Sequence, residues 1–276
     1  MYNETLKYTK IGFIGTGNMG GALAKAVARV GYRACLYDPD VAKRDALADE
    51  IGANAKKIDT LFELLDTCTF VFVGVKPQVL PALAKEIRPI FDEMKESAPL
   101  LISMAAGTSI AKLEELFGKR YIIRIMPNTP VAVGKGMTLW CANSEVFDVQ
   151  KDAFKVIMSE SGRVDEIDEK LIDAASAVSG CGPAFVYMFI EALADGGVLC
   201  GLPRDKAQTY AAQTLAGAAE YLMASGTHPG KLKDNVCSPG GTTIEGVRTL
   251  EACGFRSAAT EAVIAAYEKT LELAKK

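Results

Sequence analysis

The run IGFIGTGNMGGALAKAV, residues 11–27, constrains the fold of this 276-residue chain more than any other stretch. An apolar strand runs into Gly15, Gly17 and Gly20, spaced G-x-G-x-x-G, and a helical pattern follows at once. Strand, tight turn and helix in this order open a βαβ unit, which requires a parallel sheet and a right-handed crossover. The glycines permit the turn, the approach of a pyrophosphate and close packing of helix on strand, while the helix N-terminus faces the phosphates. Asn18 and Met19 complete the loop between the second and third glycine. The spacing alone is weak. Its context is stronger, because the next strand, RACLYD, ends in Asp38, where an acidic side chain takes ribose hydroxyls. A nicotinamide or flavin dinucleotide site is therefore expected.

The alternation continues through a helix around VAKRDALADEIG, a strand at TFVFVGV, and further strands at LLISMAA, YIIRIMP, MTLWCA and GRVDEI. Helices fall around VLPALAKEIRPIF and IAKLEELFG. Residues 1–167 are thus expected to form an α/β, Rossmann-like dinucleotide-binding domain with a doubly wound parallel sheet. At Asp168, an N-cap candidate opening DEKLIDAASAVS, the pattern changes. From there Ala-rich helices are broken at GCGP, GLPRD, SGTHPG and SPGG, and no strand is evident. Residues 168–276 are expected to be an all-α domain for dimerisation and substrate binding. PAFVYMFIEAL is apolar on most faces, which asks for a partner subunit. Glu191, Asp195 and a Gly pair in the same region argue against a membrane span.

Lys plus Arg total 31 against 34 Asp plus Glu, so no overall field favours nucleic acid or an anionic membrane. A small-molecule partner is expected. Seven cysteines are odd in number, scattered and without a C-x-x-C pair; they read as reduced thiols, with neither a disulfide framework nor a metal site. MYNETLKYTK carries no apolar segment behind its lysines, so no signal or transit peptide is expected and the expected address is cytoplasmic.

The carboxylate of Asp38 repels the extra phosphate of NADP, which leans the cofactor towards NADH. Lys43 and Arg44, just beyond, are either exposed helix charges or contacts for a 2′-phosphate, so NADPH stays open. For the chemistry, the single histidine, His228, lies in SGTHPGKLKD, where a loop-capping or exposed role outweighs catalysis. The reaction should then need little proton chemistry from the protein. Reduction of a cyclic imine meets that requirement, because the nitrogen is basic and hydride addition needs mostly orientation. The SPGGTT stretch supplies the means. Ser238, the amides of Gly240, Gly241 and Thr242 and the following helix start form a carboxylate cradle, and Thr243 places a hydroxyl beside it.

These residues resemble the pyrroline-5-carboxylate reductase family over nearly the whole chain: GTGNMG, VKPQ at 75–78, SMAAG at 103–107, RIMPNTP at 124–130, SGCGPAF at 179–185, ALADGGVLCGLPR at 192–204 and HPGKLKDNVCSPGGTTIEG at 228–246. The last block is highly specific; the first is shared by many dehydrogenases. The resemblance implies reduction of 1-pyrroline-5-carboxylate to L-proline with NADH or NADPH, the last step of proline synthesis. It implies a Rossmann domain followed by a helical dimerisation domain, an active site between them completed across the dimer, and rings of dimers in some members. By matching motif, Val75, Lys76 and Pro77, Ala106 and Asn128 would line the nicotinamide side. Ser238, Gly240, Gly241 and Thr242 would hold the substrate carboxylate, and Thr243 would hydrogen-bond the ring nitrogen. One departure is Leu61, which stands where the family often has an Asn ahead of the VKP strand to contact the adenosine ribose. A β-hydroxyacid dehydrogenase would resemble its relatives in a Lys within G-x-x-x-K-x-x-x-N, and SGCGPAFVYMFIEAL contains no Lys. A dinucleotide-binding redox sensor without turnover would have no use for the carboxylate cradle.

Overall fold

A computed structural model describes residues 9–274. The expectation about a leader peptide falls largely on residues 1–8, outside the described residues. Eight strands form one sheet: β1 (Lys10–Ile14), β2 (Arg33–Tyr37), β3 (Ala55–Lys57), β4 (Phe70–Val73), β5 (Leu100–Ser103), β6 (Ile122–Pro127), β7 (Gly136–Ala142) and β8 (Gly162–Glu166). Their order is β3-β2-β1-β4-β5-β6-β7-β8. The central strands β4 and β5, FVFV and LLIS, are buried at every position, as strands covered on both faces must be.

The covering helices are α1 (Asn18–Val30), α2 (Val41–Ile51), α3 (Leu61–Thr67), α4 (Leu80–Met94), α5 (Ile110–Phe117) and α6 (Asp148–Ile157). Alternate residues of the central strands feed two cores. Ile11, Phe13 and Phe72 pack with Leu23 and Val27 of α1 and Phe154 and Ile157 of α6. Ile14, Val71 and Val73 pack on the opposite face with Leu64 of α3, Ile87 and Phe91 of α4 and Leu113 and Phe117 of α5. Phe13 and Phe72 stack across neighbouring strands with ring centroids 4.8 Å apart.

The sheet departs from the all-parallel expectation at β7, which runs antiparallel to β6 with Ile125 opposite Trp140. Residues 128–135 join the two strands through one short 3₁₀ turn, Thr129–Val133, and a link this short cannot make the crossover that parallel pairing needs. After α6 the chain returns as β8, parallel to β7.

Helix α7 (Glu169–Ser179) opens at Asp168, but the Asp168 side chain makes no capping bond and pairs with Lys170 at 3.1 Å. The helix is tied to the sheet by its next carboxylates. Glu169 accepts from the Ile110 amide at 2.7 Å and from Arg124 at 3.1 Å, and Asp173 accepts from Arg124 at 2.7 Å. Arg124 lies on β6 and is buried. By its contacts the chain divides into one unit running up to Gly180 and joined by the residues from Tyr267 onward, and a second unit, Cys181–Ala266. The last strand ends at Glu166, and packing carries α7 back onto the sheet.

The second unit contains α8 (Gly182–Leu199), α9 (Arg204–Ser225), α10 (Pro229–Val236), α11 (Thr242–Ala252) and most of α12 (Phe255–Ala274). Helices α8 and α9 pack through Ala194, Ala207 and Ala211. A Cβ on Gly197 would come within 3.2 Å of Ala207 Cβ, so glycine lets the two axes approach. Val186, Tyr187, Met188 and Leu199 of α8 are exposed in the single chain. The stretch Glu169–Leu199 is long enough for a membrane span and contains an 18-residue window of mean hydropathy 1.4, yet it is interrupted at Gly180–Cys181. It also carries Glu191 and Asp195, and Asp195 pairs with Arg204 at 2.5 Å.

Candidate active site

In the first unit the C-terminal ends of β1, β2, β4, β5 and β6 share one edge of the sheet, and the strand order reverses between β1 and β4. Ligands of doubly wound sheets bind at such a reversal. The glycine loop and VKPQ meet there. Gly15 has φ +92°, and a Cβ on it would lie 2.9 Å from the Gly74 carbonyl oxygen. A Cβ on Gly20 would lie 2.1 Å from the Gly15 carbonyl oxygen. The chain itself therefore requires both glycines. A Cβ on Gly17 would meet nothing within 4 Å, so Gly17 keeps open a space that no atom of the chain fills. Gly17 is also the N-cap of α1 and offers no capping side chain, which leaves the amides of Asn18, Met19 and Gly20 without intrahelical acceptors. An open space against uncapped amides at a positive helix end fits a pyrophosphate.

Asp38 follows β2 directly. Its Oδ2 accepts from the Thr16 amide at 2.7 Å and from the Thr16 hydroxyl at 2.9 Å, and its Oδ1 accepts from the Asp40 amide at 2.9 Å. The neighbouring cations are engaged elsewhere. Arg44, read above as an exposed charge or a phosphate contact, is buried and donates to the Ile58 carbonyl at 2.9 Å and to Asp59 at 2.7 Å. Its position one turn into α2 directs it back under the sheet edge. Lys43 is exposed and pairs with Asp40 at 3.1 Å, and its side chain and amide hold the Asp40 carboxyl below the usual carboxylate range. Leu61 is buried in the core beneath α3, so its position presents no polar group to a ribose.

Val75 packs beside Gly15, Lys76 is exposed, and Pro77 begins a 3₁₀ turn leading into α4. Ala106 is exposed in the loop after β5. Asn128, at the end of β6, is buried, and its side-chain amide is engaged at both ends. It donates to the Ser179 carbonyl at 2.9 Å and accepts from the Met137 amide at 2.8 Å. Asn128 thus ties β6, β7 and the end of α7 together, and the second N–H of its amide is not used by these two bonds.

In the second unit, α10 stops at Val236 and Ser238-Pro239-Gly240-Gly241 makes a turn. Gly240 has φ +66°, and the Gly241 amide donates to the Ser238 carbonyl at 3.0 Å, the pattern of a Pro-Gly type II turn. The Gly241 amide is consequently not available to a carboxylate, contrary to the sequence reading; Gly241 shapes the turn instead. A Cβ there would lie 2.3 Å from Ser238 Oγ. Helix α11 begins at Thr242 with Gly241 as an N-cap lacking a side chain, so the amides of Thr242, Thr243 and Ile244 have no intrahelical acceptors. Thr243, the second helical residue, is exposed and does not occupy the capping position. Uncapped amides, a positive helix end and the hydroxyls of Ser238 and Thr243 therefore lie within seven consecutive residues. His228 caps α10, its Nδ1 accepting from the Gly230 amide at 3.1 Å. Among the described residues no cluster of His, Cys, Asp or Glu could hold a metal ion, and all seven cysteines are free thiols.

Residues 10–107 match the family model described as NADP oxidoreductase, coenzyme F420-dependent, and residues 169–273 match that of pyrroline-5-carboxylate reductase dimerisation. The pyrroline-5-carboxylate reductase of Synechocystis sp. is 43% identical over 271 residues, which cover 97% of this chain and 99% of that protein. The chain belongs to the pyrroline-5-carboxylate reductase family. The pyrroline-5-carboxylate reductase of Escherichia coli is 41% identical over 96% of this chain and 98% of its own length. A crystal structure of the Plasmodium falciparum pyrroline carboxylate reductase with NADP bound superposes with a TM-score of 0.84 at 36% identity, covering 96% of this chain and 98% of that one. A Rossmann-like sheet followed by a helical dimerisation domain is thus the architecture of this pyrroline-5-carboxylate reductase family member, and its cofactor is a nicotinamide dinucleotide. The exposed apolar residues of α8 lie inside the dimerisation match.

Thr16 was not singled out by the sequence reading. The register that sets Ile14 opposite Tyr37 carries Thr16 towards Asp38, and aligning the two strand ends would have found it.

Proposed function

We infer that the chain reduces the C=N bond of 1-pyrroline-5-carboxylate with NADH or NADPH, giving L-proline, the last step of proline biosynthesis. The observation that carries this reading is the uncapped start of α11 behind the Ser238–Gly241 turn, in a chain nearly all of which aligns with reductases of that name. The reaction places a hydride on the ring carbon and leaves a proton on the nitrogen. The reduced nicotinamide supplies the hydride. The substrate carboxylate rests on the helix end, held by the Ser238 hydroxyl and the amides of Gly240 and Thr242, where the positive dipole favours an anion. Fixing the carboxylate fixes the ring. The Thr243 hydroxyl then meets the ring nitrogen and holds the protonated imine in place while the carbon is attacked.

Residues 1–167 serve dinucleotide binding and residues 168–276 serve substrate binding and dimerisation, as a homodimer or a ring of dimers in the cytoplasm. The loop from Gly15 to Gly20, with Asn18 and Met19, takes the pyrophosphate, and Val75, Lys76, Pro77, Ala106 and Asn128 line the nicotinamide side. NADH is preferred over NADPH. Asp38 supports this preference, as does the engagement of Arg44 with Ile58 and Asp59 and of Lys43 with Asp40. The test is oxidation of NADH and of NADPH in the presence of 1-pyrroline-5-carboxylate by folded protein. Turnover with at least one of them is expected, and none with either refutes the reading; a higher kcat/KM with NADPH refutes the preference alone.

A further inference from the structure

Between the first two glycines lies Thr16, buried at 7% exposure, with both of its donors aimed at one oxygen. Its amide and hydroxyl donate to Asp38 Oδ2 at 2.7 and 2.9 Å, and the Asp40 amide donates to Oδ1 at 2.9 Å. A carboxylate offers about four acceptor positions. Three are filled from within the chain, and the fourth lies on Oδ1. We propose that Thr16 is the positioning residue for cofactor choice: it pins Oδ2 so that Asp38 presents a single oxygen to the adenosine ribose. This rests on the reading of the glycine loop as a dinucleotide site. A ribose 2′-hydroxyl can donate to that oxygen, whereas a 2′-phosphate has no proton to give and meets a fixed like charge. A carboxylate released from the hydroxyl keeps only the amide on Oδ2, and turning about its own axis lets it yield to the phosphate.

Removing the hydroxyl while keeping the shape, Thr16→Val, is expected to weaken NADH binding about three- to tenfold, the range of one ordinary hydrogen bond, and to leave NADPH binding unchanged or improved. Thr16→Ser should restore the parent ratio. Dissociation constants for both dinucleotides, measured by fluorescence titration without substrate, read the effect, and calorimetric melting shows that each variant is folded; Thr16→Ala replaces the valine variant if that one does not fold. Asp38→Asn is the control. A ratio unchanged by Thr16→Val but altered by Asp38→Asn overturns the role of Thr16 and leaves the site reading standing. Equal weakening of both cofactors by Thr16→Val also overturns it, since that is what a merely structural residue would do. No change of ratio in either variant means that Asp38 does not face the ribose, and the site reading falls with the proposal.

Discussion

Thr243→Ala separates a role in the reaction from a role in the helix. Were Thr243 the N-cap of α11, alanine would cost about 1 kcal/mol of stability. The helix begins one residue earlier, behind Gly241, so the Thr243 side chain stands in the first turn and caps nothing. Alanine is the better helix former there, and the expected change in stability is within about 0.5 kcal/mol. The kinetic effect should be larger. A hydrogen bond to a charged ring nitrogen contributes about 1.5–3 kcal/mol, which corresponds to a loss of roughly 10- to 100-fold in kcat/KM. The loss stops short of abolition, because the imine is protonated by water and the turn still holds the carboxylate. Thr243→Ser should keep most of the activity, and dinucleotide affinity should not move in either variant. The same helix supplies a control in Thr249, whose hydroxyl donates to the Glu245 carbonyl at 3.0 Å; Thr249→Ala should leave kcat/KM unchanged. Steady-state kinetics with 1-pyrroline-5-carboxylate and calorimetric melting on the three variants decide the matter. A lowered melting temperature with unaltered kinetics in Thr243→Ala would refute the reasoning.

Gly17→Ala should leave the melting temperature of the cofactor-free protein nearly unchanged, because the added methyl meets nothing within 4 Å, while raising the NADH dissociation constant at least tenfold, about 1.4 kcal/mol; unaltered binding would show that the pyrophosphate does not pass there. His228→Ala should lower stability by about 1 kcal/mol through loss of the α10 cap, with His228→Asn recovering most of it and kcat unaffected in both, as followed by denaturant melts alongside kinetics. Asn128→Ala leaves the Met137 amide and the Ser179 carbonyl without their partner and should cost about 1–3 kcal/mol in the same melts; a variant as stable as the parent would mean that the amide does not brace the end of β6.

Much of the fold is legible in the residue pattern, and the exceptions have physical causes. The strands around the glycine loop are apolar throughout because helices cover both faces, so FVFV and LLIS announce themselves. AKK, the edge strand β3, has no such signature: three residues, two of them lysines, are paired on one side alone. The direction of β7 was legible too, had the length of its connection been weighed, since residues 128–135 leave no room for a crossover helix. Assigning α7 by composition sets it with the helices that follow. Its packing is decided by Arg124, a buried cation on β6 that must be matched by carboxylates, and Glu169 and Asp173 supply them.

At the candidate site the division is different. What rests on backbone conformation could be read, because few residues permit it: Gly15 and Gly20 of GTGNMG and Gly240 of SPGG each stand where the chain takes a positive φ or a close approach. What rests on side-chain partners could not. Arg44 reads as a surface charge because it is charged and helical, yet the carbonyl of Ile58 and the carboxylate of Asp59, more than a dozen residues on, draw it inside. Asn128 reads as a cofactor contact from its motif, yet both ends of its amide are held by the strand and helix that follow. The Gly241 amide reads as an anion donor, and the turn that exposes its neighbours engages it first. In each case the polar group is the kind a ligand would use, and an internal partner reaches it earlier. The groups left over at these sites, the first-turn amides of α1 and α11 and the hydroxyls of Ser238 and Thr243, have no partner among the described residues, and they are where the substrate and cofactor are expected to bind.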